Sequence, residues 1–286
     1  MSETEREKNA VTGGTLYLVA TPIGNLADVS ERAVKVLSEV GFVAAEDTRN
    51  SGLLLSRLGI RRPLVAYHEH NRATAGKAIV ERLKNGESCA LVTDAGTPAI
   101  SDPGEDLVGL CAAEGIPVTT VPGCCAAVSA LAVSGLPTRR FFFEGFLPTR
   151  SGERRERLSA VAEQRETVIL YEAPHRLLRT LSDLCAVCGE ERRAVICREL
   201  TKLNEETKRG TLRELSDHFT ENPPRGEFVI VLDGCRETPT PFDSMTPREH
   251  VDHYVSLGMS ENDAIKAAAR DRGVPKNEIY SAVKIK

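Results

Sequence analysis

Residues 91–104, LVTDAGTPAISDPG, divide into two parts in a way that is typical of an α/β fold. Residues 88–93 are apolar and predict a buried β-strand, whereas the residues that follow are small, acidic or turn-forming. A helix is expected to begin near Pro103, with its apolar face formed by Leu107, Leu110 and Cys111. Because open α/β sheets bind ligands at the carboxyl ends of their strands, the loop between this strand and this helix is a candidate ligand site.

Two interpretations of this loop stay open. Gly96 and Gly104 permit close approach of backbone to a ligand, and Asp94 stands where a carboxylate can accept hydrogen bonds or face a cation. The alternative is an ordinary strand-to-helix connection, with Asp102 as the helix cap and Pro103 at the first helical position.

The same alternation of strand and helix extends on both sides of this stretch. Apolar runs at 15–20, 42–45, 63–67 and 117–121 predict further strands. Asp28–Glu31 has the pattern of a capping box, from which a helix is expected to run to Val40. We therefore expect a parallel or mostly parallel sheet with helices on both faces. Four loops should then share one rim of the sheet, namely residues 21–25, 46–50, 68–71 and 94–102.

The second half of the chain predicts another α/β domain and a helical appendage. Strands are expected at 140–146, 167–172 and 193–197, and segments 206–209 and 228–232 are expected to pair with each other. The last stretch contains three short helical patterns, which resemble a helix-turn-helix or form a simple packing module. The predicted organisation is a disordered tail (1–13), two α/β domains (14–136 and 137–235) and a helical module (240–286). The helical patterns of this module lie at 248–286, after a Pro/Thr-rich linker at 239–247.

Composition limits the classes of function. The chain has 286 residues, 41% of them hydrophobic, and a formal net charge of −4, so any nucleic-acid surface must be locally basic. No apolar run approaches the length of a membrane span, so no membrane partner is expected. The eight cysteines lie mostly in apolar stretches, which favours a reducing, cytoplasmic location.

Several common catalytic and metal motifs are missing from the sequence. There is no P-loop, no dinucleotide-binding G-x-G-x-x-G after the first strand and no G-x-S-x-G elbow. His68 and His70 alternate at the end of a predicted strand, which supplies only two possible ligands on opposite faces. Cys185 and Cys188 form a C-x-x-C without a second pair. We therefore expect no metal.

The combination of motifs is more specific than any one of them. They are LYLVATPIGNL (16–26), AEDTR (45–49), VTDAGTPAISDPG (92–104), VPG (121–123), SGLPT (134–138), FEGFLP (143–148), YEAPHR (171–176) and RELTK (198–202). Together they resemble the tetrapyrrole-methylase superfamily of S-adenosylmethionine-dependent methyltransferases, over about residues 14–235. Within it, the chain is similar to the branch that methylates the ribose 2′-oxygen of a cytidine in small-subunit ribosomal RNA.

The resemblance implies two α/β domains with S-adenosyl-L-methionine in the cleft between them, and a homodimer. Matching the family motifs residue by residue implies cofactor contacts at Pro22, Ile23, Gly24, Asp94, Gly96, Thr97, Cys125, Ala126 and Tyr171. Tetrapyrrole-specific members carry a glycine-rich loop in place of residues 21–25, which argues against a tetrapyrrole substrate. The family's Pro-Gly-Pro-Ser is Pro122-Gly-Cys-Cys125 here, so hydroxyl contacts are lost while backbone contacts remain.

Methyl transfer from a sulfonium requires alignment of the attacking oxygen, exclusion of water and removal of a proton. The expected catalytic residues on the rim are Glu46, Asp47, Arg49, His68 and Asn71. Asp47 or His68 is favoured for proton handling and Arg49 for orienting phosphate or substrate. The alternative for Asp47 and Arg49 is an ion pair that stabilises the rim.

Contact with ribosomal RNA or the small subunit requires basic surfaces. The first expected cluster consists of Arg139, Arg140, Arg150, Arg154, Arg155 and Arg157. The second lies in the helical module, at Lys266, Arg270, Arg272, Lys276 and Lys284. The alternative for the arginine-rich stretch 150–165 is a solvated helix face.

Two competing functions are weighed against RNA ribose methylation. One is the same enzyme class acting on a small molecule or tetrapyrrole, which the arginine cluster and the helical module disfavour. The other is a non-catalytic nucleic-acid-binding protein, which the small residues at every strand end disfavour.

Overall fold

The computed structural model describes residues 10–235, 242, 245–272 and 274–284. Most of the predicted tail and much of the predicted linker at 239–247 lie outside the described residues. Within the described part of the tail, the backbone N–H of Thr12 donates to the Tyr17 hydroxyl at 2.8 Å. The chain divides into two compact units after Cys235.

The first sheet contains five parallel strands in the order β3-β2-β4-β1-β5. They are β1 (Leu16–Val19), β2 (Phe42–Ala45), β3 (Leu64–Ala66), β4 (Cys89–Val92) and β5 (Val118–Val121). The predicted parallel sheet is confirmed. Strands β2 and β4 are buried along their whole length, as expected for strands covered on both faces.

Helices cover both faces of this sheet, as predicted. They are α1 (Glu31–Glu39), α2 (Thr48–Arg57), α3 (Arg72–Lys84) and α4 (Gly104–Ala113). Residues of α1 and α2 share one apolar core with β1, β2 and β4, and residues of α3 and α4 share a second core on the opposite face.

The predicted capping box at Asp28–Glu31 is wrong. Asp28 ends a short 3₁₀ turn, and Ser30 is the residue that caps α1, since its hydroxyl accepts the backbone N–H of Ala33 at 3.1 Å. Both residues are good caps in sequence terms. The 3₁₀ turn occupies the first of them, so the helix begins two residues later than the pattern indicated.

The second sheet also has five strands, in the order β6-β7-β10-β8-β9. They are β6 (Phe141–Phe146), β7 (Thr167–Glu172), β8 (Arg193–Arg198), β9 (Glu206–Thr211) and β10 (Phe228–Leu232). The β6–β7 pair is parallel and the others are antiparallel. The predicted pairing of 206–209 with 228–232 is wrong, because the fully buried β10 takes the centre and the half-exposed β9 takes the edge beside β8.

One face of the second sheet is covered by α6 (Ser151–Glu163), α7 (Pro174–Cys188) and α8 (Leu212–Glu221). The other face receives α5 (Ala126–Ser134), which follows β5 in the chain. Because α5 leaves the first sheet and packs on the second, the two sheets are joined within one compact unit. The predicted α/β class is confirmed, with one five-stranded sheet in each half of this unit.

The described residues of the unit after Cys235 form three helices around an apolar core of their own. They are α9 (Pro247–Ser256), α10 (Glu261–Asp271) and α11 (Lys276–Lys284). In the part of the chain that the structure describes, no helix has the length and apolar character that crossing a membrane requires.

Candidate functional site

A cavity of about 480 Å³ lies between the carboxyl ends of the first sheet and the second sheet. From the first sheet it is lined by Ile23, Glu46, Thr93, the loop after β4, and the start of α5. From the second it is lined by Phe146, residues 171–175, Cys197, Leu200 and residues 227–229. A cavity of this size at strand ends is typical of a site for a cofactor-sized ligand.

Backbone and hydroxyl contacts fix the loop after β4. Thr21 and Gly96 exchange backbone hydrogen bonds at 2.9 and 3.1 Å, which ties the end of β1 to this loop. The Thr97 hydroxyl donates to the Cys124 carbonyl at 2.9 Å and so joins the loop to the segment before α5. Gly96 has φ +88°, a conformation that favours glycine.

The predicted helix cap at Asp102 is off by one residue, because Pro103 is the N-cap of α4 and Asp102 precedes it. Asp102 Oδ1 accepts the backbone N–H groups of Ala99 at 3.0 Å and Gly104 at 2.7 Å. Pro103 precedes the first residue of α4 instead of being that residue. Since Asp102 also lines the cavity, the loop serves both the helix start and the cavity wall.

The structure brings six of the nine predicted cofactor residues to the cavity wall. These are Ile23, Gly96, Thr97, Cys125, Ala126 and Tyr171. Pro22, Gly24 and Asp94, which the structure also describes, do not line it. Gly24 instead lies against Lys202, so that a Cβ built at this position would be 2.3 Å from Lys202 Cγ. Asp94 accepts a hydrogen bond from the Asn50 amide at 2.9 Å.

Tyr171 forms the rigid apolar wall of the cavity. Its hydroxyl accepts the backbone N–H of Ala127 at 3.1 Å, and its ring lies 5.2 Å from that of Phe143 in an edge arrangement. Burial raises the pKa of Tyr171 to about 12. The phenol therefore stays protonated at neutral pH, and its hydroxyl links the start of α5 to the second sheet.

Among the five predicted catalytic residues, all of which the structure describes, Glu46 is the one that lines the cavity. Its carboxylate is accessible from the cavity, yet the surrounding protein removes enough water to raise its pKa. The neighbouring carboxylates of Asp94 and Asp102 raise this pKa further, and His68 opposes them. A carboxyl group with a raised pKa is better suited to accept a proton than an ordinary one.

Asp47 and Arg49 form the ion pair that was the alternative to a catalytic role. Asp47 caps α2 by accepting the Arg49 backbone N–H at 2.8 Å, and its other oxygen lies 2.6 Å from Arg49 Nη2. Hydrogen bonds from Arg49 lower the pKa of Asp47 to about 2. An Asp47 carboxylate held in this way is a poor proton acceptor.

His68 and Asn71 belong to the turn between β3 and α3. The Asn71 side chain accepts the His68 backbone N–H at 2.9 Å and donates to the Ala66 carbonyl at 3.0 Å, which closes the turn. His68 is half-buried, and its Nδ1 is buried without a hydrogen-bond partner among the described residues. Its charge is close enough to act on Glu46.

The arginine cluster is not one continuous surface. Arg154 is 3% exposed and bonds Asp183 and Thr180, each at 2.8 Å, so its inclusion in an exposed RNA-binding patch is wrong. It lies at helical spacing from the apolar Leu158 and Val161 and therefore points inward. Arg157 is half-exposed and forms a two-pronged ion pair with Glu144 at 2.7 and 2.5 Å.

The remaining arginines of this cluster are exposed, and the structure places them around the start of β6 and of α6. They are Arg139, Arg140, Arg150 and Arg155. In the C-terminal unit, Lys266, Arg270 and Lys276 are exposed as well. Arg272 is engaged inside that unit, where it donates to His250 Nδ1 at 3.0 Å and to the Met245 carbonyl at 2.5 Å, so it does not belong to an exposed basic surface. Lys284 pairs with Glu261 at 2.8 Å.

Several residues that line the cavity were not predicted from the sequence. Phe146 and His175 are both exposed and lie at its second-sheet wall, and Ile100 lies on the opposite wall. Their motifs, FEGFLP and YEAPHR, were recognised, but no alternation pattern indicated which of these side chains faces inward. Among the described residues no cluster of three or more metal-ligating side chains is present.

Comparison with known proteins gives the same fold. The model of the tetrapyrrole (corrin/porphyrin) methylases matches residues 15–216. A ribosomal RNA small subunit methyltransferase I from Halalkalibacterium halodurans is 49% identical, over 94% of this chain and 94% of its own. The protein of the same name from Bacillus subtilis is 46% identical, over 96% of this chain and 95% of its own.

One similar solved structure is a uroporphyrin-III C-methyltransferase from Thermus thermophilus complexed with S-adenyl homocysteine. It superposes with a TM-score of 0.54 at 20% identity and covers 77% of this chain and 96% of its own. At this identity the likeness concerns the fold.

Proposed function

The chain belongs to the tetrapyrrole (corrin/porphyrin) methylase family, as its motifs predicted, and we propose that it methylates small-subunit ribosomal RNA. The proposed donor is S-adenosylmethionine, and the proposed acceptor is the ribose 2′-oxygen of a cytidine. The observation that carries this proposal is the identity of 49% and 46%, over nearly the whole chain, to two proteins named for methylation of that RNA.

The cavity wall fits the donor by its chemistry. Gly96, whose backbone N–H and C=O are both paired with Thr21, allows close approach of a ligand, and the Thr97 backbone suits a carboxylate or a ribose. The apolar surface of Tyr171, Ile23 and Ala126 suits an adenine. Glu46 and Asp102 add negative charge, which favours an ammonium or a sulfonium. When bound there, S-adenosylmethionine supplies a methyl group already activated by its positive sulfur. We propose the nine residues predicted from the family motifs as its binding set, with Pro22, Gly24 and Asp94 outside the cavity wall.

Glu46 is our proposal for the proton acceptor. A ribose 2′-hydroxyl is a weak acid, so its attack is helped by a base within hydrogen-bond reach. Glu46 opens to the cavity and has a raised pKa, whereas Asp47 is bound to Arg49. His68 is proposed to tune Glu46 through its charge, and Asn71 to hold the His68 turn.

Exposed basic side chains are proposed to contact the RNA backbone. On the first unit these are Arg139, Arg140, Arg150 and Arg155, and on the second Lys266, Arg270 and Lys276. Phosphate contacts of this kind strengthen binding at low salt and do not read the base sequence. We therefore propose that the helical unit binds RNA. Deletion of residues 240–286 tests this, and the variant is expected to lose affinity for the small subunit.

The family resemblance further implies a homodimer, and the cysteine usage favours the cytoplasm, where ribosomal subunits are found. We retain both as proposals. A light-scattering mass of twice the 31.1 kDa chain mass is expected in dilute solution, and the mass of one chain would contradict the dimer.

Methyl transfer from labelled S-adenosylmethionine tests the proposed substrate. The acceptors are small ribosomal subunits that lack the modification, free nucleosides and a uroporphyrin, each with wild type and with Asp94→Ala. Label in the subunit RNA is expected, with less label in the variant. Label in the uroporphyrin alone would overturn the RNA substrate and keep the donor site. Donor binding without methyl transfer to any acceptor would indicate a binding protein instead of an enzyme.

A further inference from the structure

Phe146 is an exposed aromatic residue at the wall of the cavity. It is the last residue of β6, and it is 52% exposed although it lines the cavity. Its ring lies 5.5 Å from the ring of Tyr171 at an angle of 58°. Tyr171 is half-buried and bound to Ala127, so its ring lies toward the interior of the cavity and the ring of Phe146 lies toward the solvent.

A β-bulge turns Phe146 toward the cavity. Phe143 is paired with Ile169 of β7, but the next pair is Gly145 with Leu170, so Glu144 is the extra residue. Without this bulge Phe146 would be paired with Glu172 and would share the face covered by α7. With it, Phe146 is paired with Tyr171 and shares the cavity face.

Two features of the surrounding structure stabilise the bulge. Gly145 has φ +71°, and a Cβ at that position would be 2.9 Å from Ser101 Oγ, so a larger residue would not fit there without a shift. The Glu144 carboxylate is nearly buried and is held by the two-pronged pair with Arg157.

Two arginines then hold the backbone that follows Phe146. Arg176 Nη2 donates to the Leu147 carbonyl at 2.5 Å, and Arg154 Nη1 donates to the Pro148 carbonyl at 3.4 Å. Arg176 also pairs with the buried Glu172 at 3.3 Å, and Arg154 is anchored by Asp183. The exposed ring is therefore carried by a segment that is fixed on both sides.

The proposed reaction supplies a ligand that suits such an exposed ring. A ribose 2′-oxygen can reach a methyl donor inside the cavity only if its nucleotide leaves the surrounding stack. The unstacked base then needs an apolar surface near the cavity mouth, and aromatic rings supply one. Ile100, which is 46% exposed on the opposite wall, adds apolar surface at the same cavity.

We propose that Phe146 is the stacking platform for the base of the target nucleotide. This inference rests on the proposed function, and it assigns to Phe146 a contact with the RNA acceptor and none with the methyl donor. The donor set lies at residues such as Gly96, Thr97 and Tyr171, which are buried or half-buried, whereas Phe146 stands on the solvent side of Tyr171.

The test compares Phe146→Ala with Phe141→Ala. Phe141 is on the same strand and is 45% exposed, but it does not line the cavity, so it is a matched control. The measured quantities are the KM and kcat for small-subunit methylation and the Kd of S-adenosylmethionine for the free enzyme. Base–aromatic stacking contributes about 1–3 kcal/mol, so KM for the subunit is expected to rise about 5- to 150-fold in Phe146→Ala.

Three further results are expected. The Kd of the donor stays within about twofold of wild type. Phe146→Trp recovers the KM, and Phe146→Leu, which keeps apolar bulk without a π-face, does not. Phe141→Ala behaves as wild type.

The inference is overturned if Phe146→Ala matches Phe141→Ala, or if the Kd of the donor rises while KM for the subunit stays unchanged. Equal rescue by leucine and tryptophan would also overturn it, since the ring would then only fill space. If wild type transfers no methyl to the subunit, the proposed function fails, and the inference about Phe146, which rests on it, is overturned with it.

Discussion

Arg154→Ala provides a direct test of whether this arginine supports the fold or contacts RNA. Arg154 lies on α6, one residue from the exposed Arg155, so the two positions share helix, charge and neighbourhood. The structure assigns a buried structural role to Arg154 and leaves Arg155 on the surface. Truncating each to alanine should therefore affect different properties.

The cost of Arg154→Ala follows from the contacts that it removes. The guanidinium bonds the Asp183 carboxylate and the Thr180 hydroxyl, both at 2.8 Å, and its side chain is 4% exposed. Hydrogen bonds of charged groups contribute about 1.5–3 kcal/mol each, and breaking a buried ion pair costs about 3–5 kcal/mol. Asp183 is 33% exposed and regains water, which places the expected loss near the lower limit, at about 3 kcal/mol.

Urea unfolding of the full chain, followed by circular dichroism, measures this loss. We expect the free energy of unfolding to fall by about 3 kcal/mol in Arg154→Ala and by less than about 0.5 kcal/mol in Arg155→Ala. Subunit affinity at moderate salt should fall in Arg155→Ala. If Arg154→Ala unfolds like wild type but binds the subunit more weakly, the structural role is refuted and the RNA contact is restored.

Three other perturbations have clear expected outcomes. Glu46→Gln should lower kcat for subunit methylation about 10²–10⁴-fold, and an unchanged rate would exclude Glu46 as the base. The wild-type rate should decline as the pH falls through the Glu46 pKa, which lies above 4.5, and the variant should lose this dependence. Because Gly96 has a positive φ, Gly96→Ala should destabilise the chain by about 1–2 kcal/mol and weaken donor binding. Gly109 is exposed on α4, so Gly109→Ala should stabilise the chain by about 0.5–1 kcal/mol. Equal unfolding midpoints for the two variants would contradict this. Burial lowers the pKa of His250 from its ordinary 6.5, so as the pH falls the imidazole is protonated in the unfolded chain before it is protonated in the folded one. The helices of the C-terminal unit should therefore lose stability as the pH falls below 6.5. Hydrogen exchange of α9–α11 at pH 7.5 and 5.5 measures this loss, and greater protection at pH 5.5 would contradict the expected direction.

The sequence was sufficient for the architecture of the first sheet. Its strands alternate with helices at short spacing, and β2 and β4 are apolar throughout, so a parallel sheet covered on both faces follows from pattern alone. The loop after β4 could also be located, because glycine, proline and aspartate interrupt an otherwise apolar strand.

The order of the second sheet could not be obtained in the same way. Antiparallel strands place few constraints on which segments are neighbours, and β9 is polar enough to pair with either of two partners. The buried character of β10 was the available signal for its central position. The capping error at Asp28 has a similar origin, since two acceptable caps lie two residues apart.

Arg154 shows a signal that was present in the sequence. It precedes Leu158 by four residues and Val161 by seven, the spacing of one helix face, so the pattern itself favours a buried position. Phe146 shows the opposite case. Its direction depends on a one-residue bulge that no periodicity predicts, because alternation fails at the bulge itself.

The position of the methyl group in the product tests most directly whether this cleft carries out ribose methylation. Unmodified small subunits are incubated with the enzyme and methyl-labelled S-adenosylmethionine, and the purified RNA is hydrolysed with alkali. We expect the label in an alkali-resistant dinucleotide that contains a methylated cytidine, since a 2′-O-methyl group blocks cleavage at its own linkage. Label released entirely in mononucleotides would place the methyl on a base and contradict the proposed reaction.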